Sequence, residues 1–413
     1  MKRFLLVGLL LSLMVLGIAV EITVAFPRHE MDVVGYWDSV IAEFEKATNI
    51  KVKQVRLGWD DMANKIITEL GSGGSSYDVI ELDHSWVAKF ASLGWIIPLD
   101  EYLTKEMKED IPPALMERFS YNGHVYGVVW NNDLGFFMYN KELLRKAGIC
   151  RPPRTWGELS LQSKILQQKG LVKYGIIWPW EQAEALTTHF LMLLYSFGGD
   201  VFDGDGNVIV NNEAGVEALT WMVQGLKEGV IDPGSVSASQ EAEMNVFLQG
   251  SVAFMPRAWP TAYSYSLDPD LSKIVGEAEI GLLPGKYSFM TVSILLPEAF
   301  AIPSTSKHKN EAWKFIEFVR SKEKDRELVL KLGALPMYSS LYNDPEIKAK
   351  YPYFEKLLEI MKYGRGVPQV PYYDELSYYI QVEISNALTG VKTPKQALDD
   401  LAEKLKELQK EFK

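Results

Sequence analysis

The order of hydrophobic periods restricts the fold of this chain more than any other feature. Two-residue alternation and helical spacing take turns from residue 22 onward. Residues 22–26 read as a strand, and 37–48 as a helix with Val40, Ile41 and Phe44 on one side. Residues 51–56 read as a second strand, 60–70 as a helix stopped at Gly71, and 78–82 as a buried strand. Strand–helix alternation of this kind predicts an α/β sheet with parallel neighbours, which binds ligands where loops leave the carboxyl ends of its strands. The pattern continues with strands at 126–132, 133–139, 251–255, 278–282 and 299–302, and helices at 183–197, 212–227 and 241–248, with another starting at Thr155. From 310 the chain is nearly all helical. At about 150 residues per domain, 413 residues predict two or three units. No Ser/Gly-rich linker divides them, so the lobes are expected to share several crossovers.

Lys2 and Arg3 precede an uncharged apolar run, residues 4–20, that ends at Glu21. This is the form of a secretory signal, and the small residues Gly17 and Ala19 predict cleavage after Ala19, making 1–19 the signal peptide. The same run is also at the short end of a membrane span and could remain as an anchor. No cysteine follows it for lipid attachment, and the body is expected in the periplasm or on the outer face of the cell membrane. A net charge of −11, from 43 basic and 54 acidic residues, has the wrong sign for a phosphate backbone, so no nucleic-acid partner is expected.

Several motifs lead nowhere. The lone Cys150 supports neither a disulfide nor a zinc ribbon and is read as a packed apolar residue. Asp203-Gly-Asp-Gly-Asn207 begins like a calcium loop, but the sixth and twelfth positions are Val208 and Ala214, so a hairpin turn is expected. Gly71-Ser-Gly-Gly74 lacks the lysine of a phosphate-binding loop. No two of the five histidines have helical metal-pair spacing, and no nucleophile elbow exists. No metal, cofactor or catalytic residue is therefore assigned. Paired carboxylates could serve a glycosidase, but their separation is a three-dimensional property.

The aromatic content, 12% with 11 Trp, is the informative excess. Trp59, Trp86, Trp130, Trp178, Trp180 and Trp259 fall at expected strand ends or loops. Flat rings suit the apolar faces of a pyranose, while Asp and Arg suit its hydroxyls.

An ordered set of segments carries a family resemblance. It comprises residues 37–52, then Asp78-Val-Ile-Glu-Leu-Asp83-His-Ser-Trp86, Gly94-Trp-Ile-Ile-Pro-Leu-Asp100, and 126–140 with Asn131 and Asp133 inside. Pro153-Arg-Thr-Trp-Gly-Glu-Leu159 follows, then Gly250-Ser-Val-Ala-Phe-Met-Pro-Arg257-Ala-Trp259-Pro260, Val370-Pro-Tyr-Tyr-Asp-Glu-Leu-Ser377, Ala387-Leu-Thr-Gly390 and Ala397-Leu398. The set, spanning essentially the whole mature chain, resembles the solute-binding proteins of ABC importers, specifically the maltose-binding-like carbohydrate group, and within it the trehalose/maltose-binding proteins. The resemblance implies a two-lobed periplasmic-binding-protein fold (type II), with three crossovers and a ligand cleft between the lobes. It implies lobe one at 20–131 and 299–323 and lobe two at 132–298 and 324–413. It also implies a monomer that closes on a di- or oligosaccharide and delivers it to an ABC permease, with no chemistry on the solute. By position, Asp83, Asp133 and Trp259 match sugar-contacting residues, and Arg257 belongs to the same matched motif as Trp259. Two departures stand out: Leu296, Pro297 and Glu298 replace a Gly-Gly-Trp that lines the site, and Arg365 only approximates an Arg before the Pro-Tyr-Tyr. Trp180 with Trp178 is expected to replace the lost stacking face, and Arg28, His29, Trp59 and Asn131 complete the expected contacts. A ligand such as a polyamine is the alternative, since Asp83, Asp133 and Glu298 would suit its charge.

Overall fold

Two sheets organise the chain. The computed structural model describes residues 20–28 and 35–412; the expected signal peptide and His29 lie outside them, as does the side chain of Trp59. The first sheet has five strands in the order Lys51–Leu57, Glu21–Pro27, Val79–Asp83, Glu298–Ala301, Val128–Asn131. The first three run parallel, as strand–helix alternation requires. Glu298–Ala301 returns from far along the sequence and enters antiparallel between its two neighbours. Val79–Asp83 is buried at all five positions although it carries Glu81 and Asp83. A central strand is ordinarily apolar throughout, so two carboxylates there mark a polar seam.

The helix Tyr36–Thr48 closes one face of this sheet. Its Trp37 is fully buried and meets Phe26, Trp130 and Phe300 edge-on, with ring centroids 5.4–5.8 Å apart. The helix ends where Asn49 takes a left-handed conformation (φ 59°) and its N–H caps the carbonyl of Glu45.

The second sheet departs from the expectation of parallel neighbours. Its strands, in the order Phe254–Ala258, Phe136–Asn140, Ala278–Gly281, are all antiparallel. Parallel pairing survives in that body, among the described residues, as bridges from Ile176 to Phe254 and to Ile231 and from Thr155 to Gly285. A second core forms where the helices Glu184–Ser196, Glu213–Lys227, Tyr373–Leu388 and Pro394–Glu411 pack together. The strand expected at 251–255 lies three residues later, which brings Arg257 into it.

Three chain segments pass between the two sheets, and they lie side by side. Residues 132–135 lead out of the first sheet, 293–297 lead back, and 364–370 run alongside. Ser293–Ile294 pairs in parallel with Gly364–Arg365, Leu134 bridges Leu295, and the N–H of Gly135 donates to the carbonyl of Ile294 at 2.8 Å. Backbones approach so closely that a Cβ on Gly364 would stand 2.5 Å from a Leu295 methyl.

The boundary expected at 323 does not follow the packing. The helix Lys322–Leu332 and the turn after it stay with the first core: Tyr36 donates its hydroxyl to the carbonyl of Lys324 at 3.0 Å, and Asn132 donates to that of Pro336 at 3.0 Å. Periodicity identifies such a helix but not the face it covers, and both lobes have helical surfaces to offer.

Other expectations resolve simply. Asp203 accepts the N–H groups of Asp205 and Asn207 at 2.9 and 2.8 Å, with Gly206 at φ 81°, giving the expected hairpin turn. Cys150 is exposed, not packed, because it lies in the loop after Gly148, beyond the helix Lys141–Lys146. No helix among the described residues is long and apolar enough to cross a membrane.

Candidate functional site

The polar seam of the first sheet ends where the crossovers begin. Asp83, Glu298 and Asn131 stand in one row across three adjacent strands, Glu298 in register with both of the others. Glu298 accepts a hydrogen bond from the Asn131 amide at 2.9 Å. One step inward, Glu81 is fully buried and accepts from the Trp130 indole at 2.6 Å. Burial, reinforced by neighbouring Glu298, lifts the Glu81 carboxyl well above its ordinary range, against the effect of that indole bond.

Asp83 turns the chain into the next helix. Its Oδ1 accepts from the Ser85 N–H at 2.8 Å and from the Ser85 hydroxyl, and its Oδ2 lies 3.3 Å from Nδ1 of His84. Burial alone would raise this carboxyl, but His84 and the Ser85 bonds together hold it below its usual value. Asp83 thus closes a local turn onto Ser85, which occupies one oxygen. His84 is 6% exposed; burial would lower its pKa, but Asp83, Glu184 and Asp133 outweigh that and raise it.

The second sheet contributes from across the gap. Arg257, in Phe254–Ala258, donates through Nη2 to Asp133 at 2.5 Å, and its guanidinium lies 5.7 Å from the ring centroid of Trp259. Trp259 is half-buried at the start of the helix Pro260–Ser266. Glu184, at the start of its helix, is exposed and accepts from the hydroxyls of Tyr373 and Ser377, both at 2.5 Å. Two contacts join the bodies directly: Gln369 donates to the carbonyl of His84 at 3.0 Å, and Lys89 pairs with Asp374 at 2.5 Å.

Behind Arg257 lies a buried polar group in the second body. His189 places Nδ1 2.6 Å from the carbonyl of Ala185, so Nδ1 carries the proton and Nε2 is an acceptor; burial, with Arg257 nearby, pushes its pKa down to about 3. Glu243 is fully buried, and burial lifts its carboxyl well above the usual range although Arg257 opposes this. Neither carboxyl oxygen of Glu243, nor Nε of Arg257, Nε2 of His189, nor the indole nitrogens of Trp178 and Trp180 has a hydrogen-bond partner among the described residues. Each such group costs roughly 1–3 kcal/mol unless something else satisfies it.

Several expected residues stand elsewhere. Trp180 and Trp178 are 1% and 0% exposed and stack on each other at 5.2 Å, so neither offers an open ring face. Trp86 and Trp130 are buried too; a loop or strand-end position says nothing about which side a ring takes. Arg28 is exposed, its N–H donating to the carbonyl of Leu57 at 2.8 Å. Arg365 is set away from Asp83 and Arg257, against Asp200 at 2.5 Å and 3.8 Å from the centroid of the Tyr195 ring. His84, Glu184, Glu243, Gln369 and Tyr373 were not foreseen. The signal for His84 was its place beside Asp83 at a strand end, and for Tyr373 its place in the Pro-Tyr-Tyr segment. The described residues hold no cluster of His, Cys, Asp and Glu fit for a metal ion.

Comparison with known proteins agrees with this architecture. The chain is similar to a maltose-bound protein of T. maritima, MalE3, with 29% identity and a TM-score of 0.84, covering 94% of this chain and 100% of that one. A Thermotoga lettingae solute-binding protein bound with α-D-tagatose matches at 26% identity and a TM-score of 0.80, covering 94% and 99%. By sequence, a maltotriose-binding protein of Pyrococcus abyssi is 25% identical over 82% of this chain and 70% of its own length, and a probable ABC transporter-binding protein of Deinococcus radiodurans is 26% identical over 94% and 96%. The family described as bacterial extracellular solute-binding protein matches residues 30–325, most of the chain. A two-lobed frame, polar groups converging on its crossovers and that match together make this chain a member of the bacterial extracellular solute-binding protein family, a binding component of ABC transport and not an enzyme.

Proposed function

We propose that this protein captures a di- or oligosaccharide between its two lobes by hinge closure and delivers it to an ABC import permease from the outer side of the membrane. One observation carries the reading: polar groups from both bodies converge beside a half-buried indole, and several have no partner among the described residues. Sugar hydroxyls both donate and accept, so they can satisfy Arg257 and His84 together, while an apolar pyranose face lies on Trp259. Ligand contacts on both lobes shift an open–closed equilibrium toward closure; about 5.5 kcal/mol of differential affinity moves it from 1:99 to 99:1. The lobe division that goes with this reading keeps 322–350 with the first lobe. The maltose, tagatose and maltotriose in the names of similar proteins favour the same ligand class.

The polyamine alternative finds no matching observation. Asp83 is engaged by His84 and Ser85, Asp133 by Arg257, and Glu298 by Asn131, so the carboxylates that would meet ammonium groups already have partners.

The test is intrinsic Trp fluorescence and thermal shift on residues 20–413, titrated with gluco-, manno-, xylo- and galacto-oligosaccharides and spermidine. Saturable binding of one sugar series, with the sugar recovered unchanged, is the expected result. A response to spermidine alone would overturn the reading.

A further inference from the structure

Beside the crossovers lies a second cavity of about 440 Å³, inside the range of about 300–1,000 Å³ typical of small-molecule sites. Both bodies build it. Glu117 and Arg118 come from the end of the helix Pro113–Arg118 in the first body, and Tyr195, Asp200 and Phe202 from the second, with residues 364–370 of the third crossover as its floor. Gln369 belongs to that floor, and its amide reaches the carbonyl of His84. The cavity therefore adjoins the cleft described above.

Its lining carries two arginines and two carboxylates, paired unequally. Arg365 is matched by Asp200 at 2.5 Å and lies flat over Tyr195. Arg118 is not matched in this way. Its side chain is only 14% exposed, and the one carboxylate within 4 Å among the described residues is Glu117 at 3.5 Å, which is 73% exposed and screened by solvent. Burial disfavours its charge most, Glu117 and Tyr195 offset part of that and Arg365 adds to it, yet a guanidinium stays ionised in any protein. The backbone makes room for it: a Cβ on residue 366 would stand 1.8 Å from Nη1 of Arg118, so only Gly366 lets the guanidinium lie across the crossover. A desolvated cation whose counter-ion stands largely in solvent is only weakly compensated, and a forked anionic group would suit it better.

We infer that this cavity is an anion-accepting extension of the sugar cleft, in which Arg118, backed by Arg365, receives the carboxylate or phosphate of an acidic sugar. The inference rests on the carbohydrate reading above and narrows it to oligosaccharides that carry a uronic acid or a phosphate. An anion held there touches both bodies, so it would favour the closed form as well as add affinity.

The experiment is isothermal titration calorimetry on residues 20–413 with matched probes: xylotriose against glucuronosyl-xylobiose, galactobiose against digalacturonate, and glucose against glucose 6-phosphate. At least one acidic probe is expected to bind about tenfold or more tightly than its neutral partner, with the margin shrinking as salt rises. Which acidic probe wins distinguishes carboxylate from phosphate. Arg118→Gln should erase the margin and leave neutral binding within about twofold, and Arg118→Lys should restore part of it as a point charge. Equal or better binding of every neutral partner, or a margin that survives Arg118→Gln in a variant of unchanged melting temperature, overturns this inference alone. Failure of all six probes together with the sugar panel above overturns the carbohydrate reading with it.

Discussion

Two buried clusters of charge in this molecule look alike in sequence and behave oppositely. Arg320 and Asp325, 1% and 0% exposed, pair within the first body. Arg320 Nε also donates to the carbonyl of Val129 at 2.8 Å, and Asp325 Oδ2 accepts from the N–H of Met337 at 2.8 Å and of Tyr338 at 3.3 Å. The cluster around Arg257 has one such pair, to Asp133, and a surplus of polar atoms with no partner among the described residues. In the first cluster only Nη1 of Arg320 lacks a partner among the described residues, and such a cluster holds the fold in place; one that leaves many groups unsatisfied is arranged for something from outside. Each is built on a buried Arg–Asp pair, so what separates them is chiefly how many of the surrounding polar atoms are hydrogen-bonded.

The largest effect should come from breaking the closed cluster. Asp325→Asn is expected to lower unfolding free energy by about 3–5 kcal/mol in urea titrations, because it leaves Arg320 buried without its counter-charge. Sugar affinity, measured where the variant remains folded, should be unchanged; a loss of affinity without loss of stability would reverse the roles of the two clusters. Trp259→Ala acts on the other side. It should weaken sugar binding by about 2 kcal/mol, roughly thirtyfold, and move the melting temperature little, since the ring is only half-buried.

Glu243 gives the comparison a pH axis. Its folded pKa lies above the unfolded value, so the folded state holds a proton that the unfolded state has released. That contribution is complete below about pH 4, the unfolded range of a glutamate, and is lost as pH rises through the raised folded value. Melting curves from pH 5 to 8 should therefore fall less steeply for Glu243→Gln than for the native protein, and identical slopes would show that another group sets them. The smallest effect is expected at Lys89, paired with Asp374 at the partly exposed edge of the cleft. Lys89→Ala should cost about 0.2–1 kcal/mol of affinity, a loss that vanishes in high salt.

Strand–helix order made most of the fold legible, because periodicity is a local property. The strand Glu298–Ala301 was found to within a residue, and the helix Pro394–Glu411 lies in the stretch expected to be helical. What periodicity cannot give is partnership: nothing in the sequence shows that Glu298–Ala301 wedges between Val79–Asp83 and Val128–Asn131, or that Lys322–Leu332 covers the first core. The site divides along the same line. Asp83, Asn131 and Glu298 meet at one row of the sheet, and Asp133, Arg257 and Trp259 join beside it, all within motifs that could be quoted as segments. Glu184, Glu243 and Gln369 come from separate helices and a crossover, and converge only through packing. Trp178 and Trp180 misled because a chain position between elements was taken for a place at the surface.

The three crossovers carry a mechanical consequence. A single tether lets two bodies twist and swing freely, and a pair still permits twisting about the line that joins them. Three strips laid flat against one another act as a leaf spring, stiff in torsion and soft in one bending direction. The bodies should then move along one path, so a pair of probes spanning the gap would report a single coordinate, and cutting one strip should loosen that path without freeing either body.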